Sequence, residues 1–290
     1  MPFLPVASAN RNRSSLPRRR NRPLAALSFL VIALAPFLAA AETLTIGGTG
    51  SGLGALRILA EEFAKGAPGV SVVVLPNMGS SGGIKALAAG AIDAAVISRP
   101  LTEQERALSH VALEYGKTPF VLASRNPPAQ GFKTLADIAD LYGNERPVWP
   151  DGSAARLIMR PRNDIDTTLL ESFSPAVRQA VQTAMARPGI LVRATDQEAA
   201  DAIENTPGAI GPTTLALILS EQRKLGIWSI NGVMPSTKTL ADGSYPFSKS
   251  MTLVRKPDGK QAVVRLFDFI DSPKGRQMLA NLGHLAPPGK

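Results

Sequence analysis

The sequence has no cysteine, and its 290 residues include only two histidines, two tryptophans and three tyrosines. Without a thiol there is no disulfide scaffold, thiolate metal centre, cysteine nucleophile or lipidated N-terminal cysteine. The histidines, His110 and His284, stand alone with no H-E-x-x-H spacing, and no carboxylate cluster suggests a metal. Neither "GSSGG" (79–83) nor "DGSAA" (151–155) is the G-x-S-x-G nucleophile elbow. Enzyme chemistry therefore finds little support, an exported hydrolase being only a distant alternative, and no cofactor or metal is called for. The formal charge of +9 is uneven: residues 1–41 hold six arginines and no acid, leaving 26 basic against 23 acidic residues elsewhere. With aromatics at 5%, that mild excess excludes a nucleic-acid groove.

Residues 1–41 run from a basic region through the apolar "PLAALSFLVIALAPFLAA" to "AAA" before Glu42, the pattern of a signal peptide cleaved near Ala41. A membrane anchor is the plain alternative, but the run is of borderline length and contains Pro36. "RRR" (18–20) lacks the further features of a twin-arginine signal, so Sec export to the periplasm is expected.

After Glu42 the chain alternates. "TLTIGG" (43–48) reads as a strand. "GLGALRILAEEFAK" (52–65) has helical spacing, and "VSVVVLP" (70–76) suits a buried parallel strand. A helix "GGIKALAAG" and a strand "AIDAAVIS" (91–98) follow. The strand "TPFVLASRNPP" (118–128) leads into a second unit: helix "TLADIADLYG", strand "RPVWP", helix "SAARLIMR", helix "PAVRQAVQTAMA", strand "GILVRA", helix "DQEAADAIEN" and the strand-like "GAIGPTT". "YPFSKSMTLVRK" (245–256) returns as a strand before closing helices. The expected architecture is α/β with two lobes, each a mainly parallel sheet flanked by helices. Residues 42–123 and 225–290 form one lobe, 124–224 the other, and a ligand cleft lies between them.

Two glycine-serine clusters open predicted helices: "GGTGSGLGAL" (47–56) and "NMGSSGGIKAL" (77–87). A helix N-terminus offers unpaired N–H groups and a positive dipole end; glycine admits a ligand and serine adds a donor, which together suit an anion. The simpler possibility is that Ser80 or Ser81 caps its helix. Gly50, Gly52 and Ala55 fit a relaxed dinucleotide pattern, but Val74, Leu75 and Pro76 stand where its ribose-binding acid belongs, and the Lys-Ser/Thr of a phosphate loop is absent. "SRPL" (98–101) ends the third strand, so three strand ends converge at one edge of the sheet.

The stretch "GTGSGLGALRILAEEFAKGAPGVSVVVLPNMGSSGGIKALAAGAIDAAVISRPLTEQE" (48–105) closely resembles the phosphate-binding proteins of phosphate ABC transporters, periplasmic solute-binding proteins of the two-lobed type II fold. Fainter likeness runs through "PDGSAAR" (150–156), "TPGAIGPTTLAL" (206–217) and "YPFSKSMTLV" (245–254). The resemblance implies a non-catalytic, monomeric receptor that holds dehydrated phosphate between its lobes and delivers it to an inner-membrane ABC permease. By position it implies Thr49, Ser51, Gly52 and Leu53 from the first loop, Ser80, Ser81 and Gly82 from the second, Ser98 and Arg99 from the third, and Ser153 from the second lobe. Many relatives have aspartate at the position of Ser98, where it accepts the proton of hydrogen phosphate. The usual second-lobe motif, an arginine shortly before Gly-Ser-Gly-Thr, is altered here in "WPDGSAAR", with Trp149 where the arginine would be. Arg156 and Arg160, four apart on the predicted helix and so on one face, are the candidates to replace that arginine. Asp164, Asp166, Thr167 and Thr168 either orient those arginines or simply start the next helix, the second reading being favoured, and Asp196, Glu198 and Asp201 read as another helix start with its exposed face. Sulfate, another oxyanion or a small organic anion in the same fold, or a ligand-sensing interaction module, are the alternatives.

Overall fold

The computed structural model describes residues 42–108, 110–127 and 131–287; the expected signal peptide lies outside the described residues. The chain begins with β1 (Glu42–Gly48), α1 (Gly50–Lys65), β2 (Val70–Asn77), α2 (Gly79–Ala88), β3 (Ala94–Ile97) and α3 (Glu103–Arg106). A long β4 (Val111–Ser124) leads to α4 (Leu135–Gly143), β5 (Arg156–Met159), α5 (Ile165–Glu171), α6 (Pro175–Met185), β6 (Leu191–Val192), α7 (Asp196–Asn205), β7 (Ala209–Thr214) and α8 (Leu215–Ser220). The chain closes through β8 (Gly226–Ile227), α9 (Thr237–Ala241), β9 (Ser248–Arg255), α10 (Gln261–Asp271) and α11 (Pro273–Asn281).

The strands lie in the order β2-β1-β3-β9-β4-β7-β5-β6, with β8 added to β4. The two flanks are parallel, β1 with β2 and β3, and β5 with β6 and β7. The centre is antiparallel, where β9 pairs β3 and β4 and where β4 pairs β7. The fold is α/β, its sheet flanked by helices. One core gathers Leu44, Leu53, Leu59, Met251, Leu253 and Phe267. Another gathers Phe120, Tyr142, Leu157, Val181, Trp228 and Tyr245. The 14-residue β4 joins them, with Tyr115 in the first core and Phe120 and Leu122 in the second.

Several sequence expectations change. "SAARLIMR" is no helix: Leu157, Ile158 and Met159 are a buried strand between β6 and β7. "RPVWP" makes only an isolated bridge, Val148 to Ala154. β2 is an edge strand: Val70, Val72 and Val74 pack on the first core, Leu75 packs near α2 on the other face, and Val73 on that face is 45% exposed. Two glycines let the first flank close. Gly48, at φ +137°, would place a Cβ 2.0 Å from the Val96 carbonyl oxygen, and a Cβ on Gly83 would lie 2.9 Å from Gly48 Cα. The N-terminal turn of α2 therefore sits directly on the ends of β1 and β3.

Candidate functional site

A cavity of about 410 Å³ opens beyond the C-terminal ends of the parallel strands, where open α/β sheets take ligands. From the first flank it is lined by Thr49 after β1, Asn77 ending β2, the first turn of α2, and Ser98 and Arg99 after β3. Across it stand Arg160 after β5, Asp164, and Thr195 and Asp196 after β6, with Lys249 from β9.

The opening of α2 is uncapped. Its N-cap position is Met78, which makes no side-chain cap bond, and the Gly79 N–H is taken by Asn77 Oδ1 at 2.8 Å. Ser80 and Ser81 therefore lie inside the helix and do not cap it. The Ser80 hydroxyl accepts from the Ser98 N–H at 3.1 Å, and the Ser98 hydroxyl donates to Thr49 Oγ1 at 3.3 Å. Ser81 accepts from the Arg99 guanidinium at 3.0 Å. Arg99 is held in a two-pronged pair by Glu105 at 2.7 and 2.8 Å, and that bond keeps the Glu105 carboxyl down at about 2.

The structure brings Thr49, Ser80, Ser81, Gly82, Ser98, Arg99 and Arg160 to the cavity and leaves the other expected residues elsewhere. Ser51, Gly52 and Leu53 are buried in the first turn of α1 behind it. The Ser51 hydroxyl donates to Asp196 Oδ1 at 2.5 Å and receives Lys249 Nζ at 2.7 Å, so it faces the protein's own charges. Arg156 and Arg160 share no helix face; Arg156 opens the strand β5 and Arg160 follows its end, roughly 13 Å of chain apart. The Arg156 guanidinium donates to the Pro207 carbonyl at the strand's N-terminal end. Ser153 is at that end too, in a separate cavity of about 790 Å³ with Trp149, Asp151 and Glu204, where its hydroxyl donates to Asp151. Arg160 instead lies just before the start of α5 at the cavity, and Asp164 and Asp166 follow it in that helix start.

The group missed from sequence is a buried ionic cluster. Lys249 is 1% exposed, Asp166 1%, Arg160 3% and Asp196 6%. Lys249 Nζ lies 2.5 Å from Asp166 Oδ1, an ion pair without hydrogen-bond alignment, and 3.1 Å from Asp196 Oδ1, to which it donates. Arg160 donates to Asp164 at 2.8 Å and to the Arg193 carbonyl at 2.9 Å, and lies 3.6 Å from Asp166 and 3.8 Å from Asp196. Asn77 donates to Asp196 Oδ2 at 3.1 Å. Asp164 both caps α5 and pairs with Arg160, so the two readings of that acid combine. Asp196 does open its helix, as expected of a first-turn acid, but its carboxylate points into the cluster and not to solvent.

Burial pushes the Asp166 carboxyl up to about 6, and the neighbouring Asp196 and Asp164 add to this against the pull of Lys249 and Arg160. Burial also works against ionised Asp196, but Lys249, Arg160 and the Ser51 hydroxyl outweigh it and hold that carboxyl well below the usual range. For Lys249 desolvation opposes the charge, yet Asp166 and Asp196 prevail and raise it to about 12. Among the described residues no group of three histidines or acids is arranged to hold a metal ion, and no helix is long and apolar enough to cross a membrane.

No curated protein matches this sequence. Among solved structures, a protein from Clostridium perfringens described as a phosphate ABC transporter substrate-binding protein, with bound phosphate, is 20% identical. Its TM-score is 0.69, covering 85% of this chain and all of that one. An ABC-type phosphate transport receptor from Vibrio cholerae is 18% identical, with TM-score 0.58 over 84% of this chain and all of that one. The periplasmic molybdate-binding protein of Azotobacter vinelandii is 16% identical, with TM-score 0.57 over 84% and 99%. None of these three is described as an enzyme, and all share the two-lobed type II periplasmic-binding-protein fold. The sequence matches the PBP superfamily domain over residues 37–275, and with most of its length covered the chain belongs to that superfamily.

Proposed function

We propose that this protein is an exported receptor for a small oxyanion, phosphate first, which it passes to an ABC permease in the inner membrane. The observation that carries the reading is the uncapped N-terminal turn of α2. Its free amides and the hydroxyls of Ser80, Ser81, Ser98 and Thr49 converge on one cavity, with buried Arg160 across from them. Fixed dipoles of this kind hold a dehydrated anion without a net positive charge. In this reading the lobes are built around the two cores and are joined through β4 and β9, and closure over the anion is what the permease recognises. The likeness to phosphate receptors and to a molybdate-binding protein supports an oxyanion as ligand.

The test is calorimetric titration with phosphate, sulfate and molybdate after unfolding and refolding to strip bound ligand. Saturable phosphate binding is expected in the wild-type protein and none in Ser80→Asp, which sets a carboxylate among the α2 amides. Unchanged phosphate affinity in that variant removes α2 from the site. A larger organic anion is the second reading, because the open cavity of about 410 Å³ leaves room beyond a single tetrahedral oxyanion.

A further inference from the structure

The cluster holds three carboxylates, the buried Asp166 and Asp196 and the part-exposed Asp164 at its rim, against two buried cations, Arg160 and Lys249. Four of the five line the cavity, and the fifth, Asp166, lies directly behind Lys249. Fully ionised, the cluster carries one negative charge in excess where an anion is to bind. A buried group relieves such an excess most readily by taking a proton.

Hydrogen bonding singles out which carboxyl does so. Asp196 accepts from Ser51, Lys249 and Asn77, and Asp164 accepts from Arg160 and from the Asp166 N–H. Asp166 has only its unaligned contact with Lys249 and the 3.6 Å approach of Arg160 Nε, a nitrogen that itself lacks a hydrogen-bond partner. The charged groups facing it are Lys249 from β9, Arg160 after β5, Asp196 from α7 and Asp164 at the start of its own helix. Among the described residues no ion pair reaches it from α6 or β7, which also pack on α5.

We infer that the cavity takes up its anion together with a proton, and that the proton lodges on Asp166. The inference rests on the oxyanion-receptor reading. An anion beside Lys249 and Arg160 adds negative charge to a cluster already one charge over, so it raises the proton affinity of the carboxyl with the fewest donors. By linkage the anion binds more tightly to the protonated form. Burial has already brought Asp166 to about 6, so the exchange falls in the range where a small further rise changes its charge. The affinity for the anion falls as the pH rises through that range, by tenfold for each unit by which the anion raises the Asp166 pKa.

The experiment measures the Kd for inorganic phosphate by calorimetry from pH 5 to pH 8 in wild type, Asp166→Asn and Asp166→Glu. Phosphate's own ionisation weights all three curves alike, so their difference reports the carboxyl. Wild type is expected to lose about tenfold more affinity than Asp166→Asn across the range, and Asp166→Glu to retain the wild-type slope. Parallel curves for wild type and Asp166→Asn overturn the coupling while leaving the receptor intact. Should Asp166→Asn not fold, the carboxyl carbons of 13C-aspartate-labelled wild type are titrated by NMR with and without phosphate. One buried carboxyl titrating well above the others and moving higher with phosphate supports the coupling, and no such movement overturns it. Folded protein that binds no phosphate, sulfate or molybdate at any pH overturns the receptor reading and the coupling with it.

Discussion

Replacing Lys249 by methionine keeps an unbranched apolar stem of nearly the same reach but removes the ammonium that lies 2.5 Å from Asp166 and 3.1 Å from Asp196. Both carboxylates are buried, and the remaining cation, Arg160, stands at 3.6 and 3.8 Å. Breaking a buried ion pair from one side costs about 3–5 kcal/mol, since the charge left behind is neither solvated nor paired. In a domain of this size each kcal/mol shifts Tm by about 2–4 °C, so the loss at pH 8 is roughly 6–20 °C. The pH dependence has a definite sign. Without the ammonium both carboxyls hold protons more tightly folded than unfolded, so the folded state gains protons and the deficit shrinks as pH falls. Thermal melts at pH 8 and pH 5 measure this, with the gap between wild type and Lys249→Met expected to at least halve at pH 5. The double variant with Asp166→Asn should recover part of the loss at pH 8. A Lys249→Met protein melting within about 2 °C of wild type at pH 8, well under the cost of one broken buried pair, refutes the view of the cluster as dry and interdependent.

Two further outcomes follow from the packing. His284 is buried with both ring nitrogens unpaired and its ring edge-on to Tyr115; burial lowers its pKa to about 4. A depressed histidine pKa makes the unfolded chain the better proton acceptor, so wild type loses stability from this residue as pH falls from about 6.5 towards 4. His284→Phe keeps the ring contact and is expected to gain about 1–3 kcal/mol in urea unfolding and to flatten that acid loss; equal losses in both proteins count against it. Gly48→Ala drives a methyl into the Val96 carbonyl from a positive φ and should cost at least about 2 kcal/mol, read as a lower urea midpoint at unchanged slope.

The first flank was legible because its signals are local. Helical spacing in α1, the β-branched run of β2 and the glycine-serine turns each identify an element without a distant partner. What the run could not reveal was that β2 lies at an edge, because a strand with one packed face and one exposed face can be as rich in valine as a central one. The second flank was less legible for the same reason in sharper form. "RLIM" is too short an apolar run to distinguish helix from strand. It is a strand because β6 and β7, over thirty residues further along the chain, supply its hydrogen bonds. With β5 misread, Arg156 seemed to share a face with Arg160, and Ser153 seemed to open a helix.

At the site, the hydroxyls and bare amides could be found because they cluster in sequence, and Arg99 and Arg160 with them, whereas the buried lysine and its acid partners could not. Asp166 and Asp196 each sit in the first turn of a helix, where an acid needs no further explanation. One signal did exist. In "SKSMTLVR" the buried positions alternate, and Lys249 falls in phase with Met251 and Leu253, on the face that turns to the core. A lysine in that phase is stable only if opposite charges meet it there, so the strand by itself demands buried acids from elsewhere in the chain. Asp166 and Asp196 answer the demand, and with Asp164, which pairs with Arg160, the acids exceed the cations by one. The cavity's balance is therefore decided by a strand whose alternation places a charge where a hydrophobic residue would ordinarily stand.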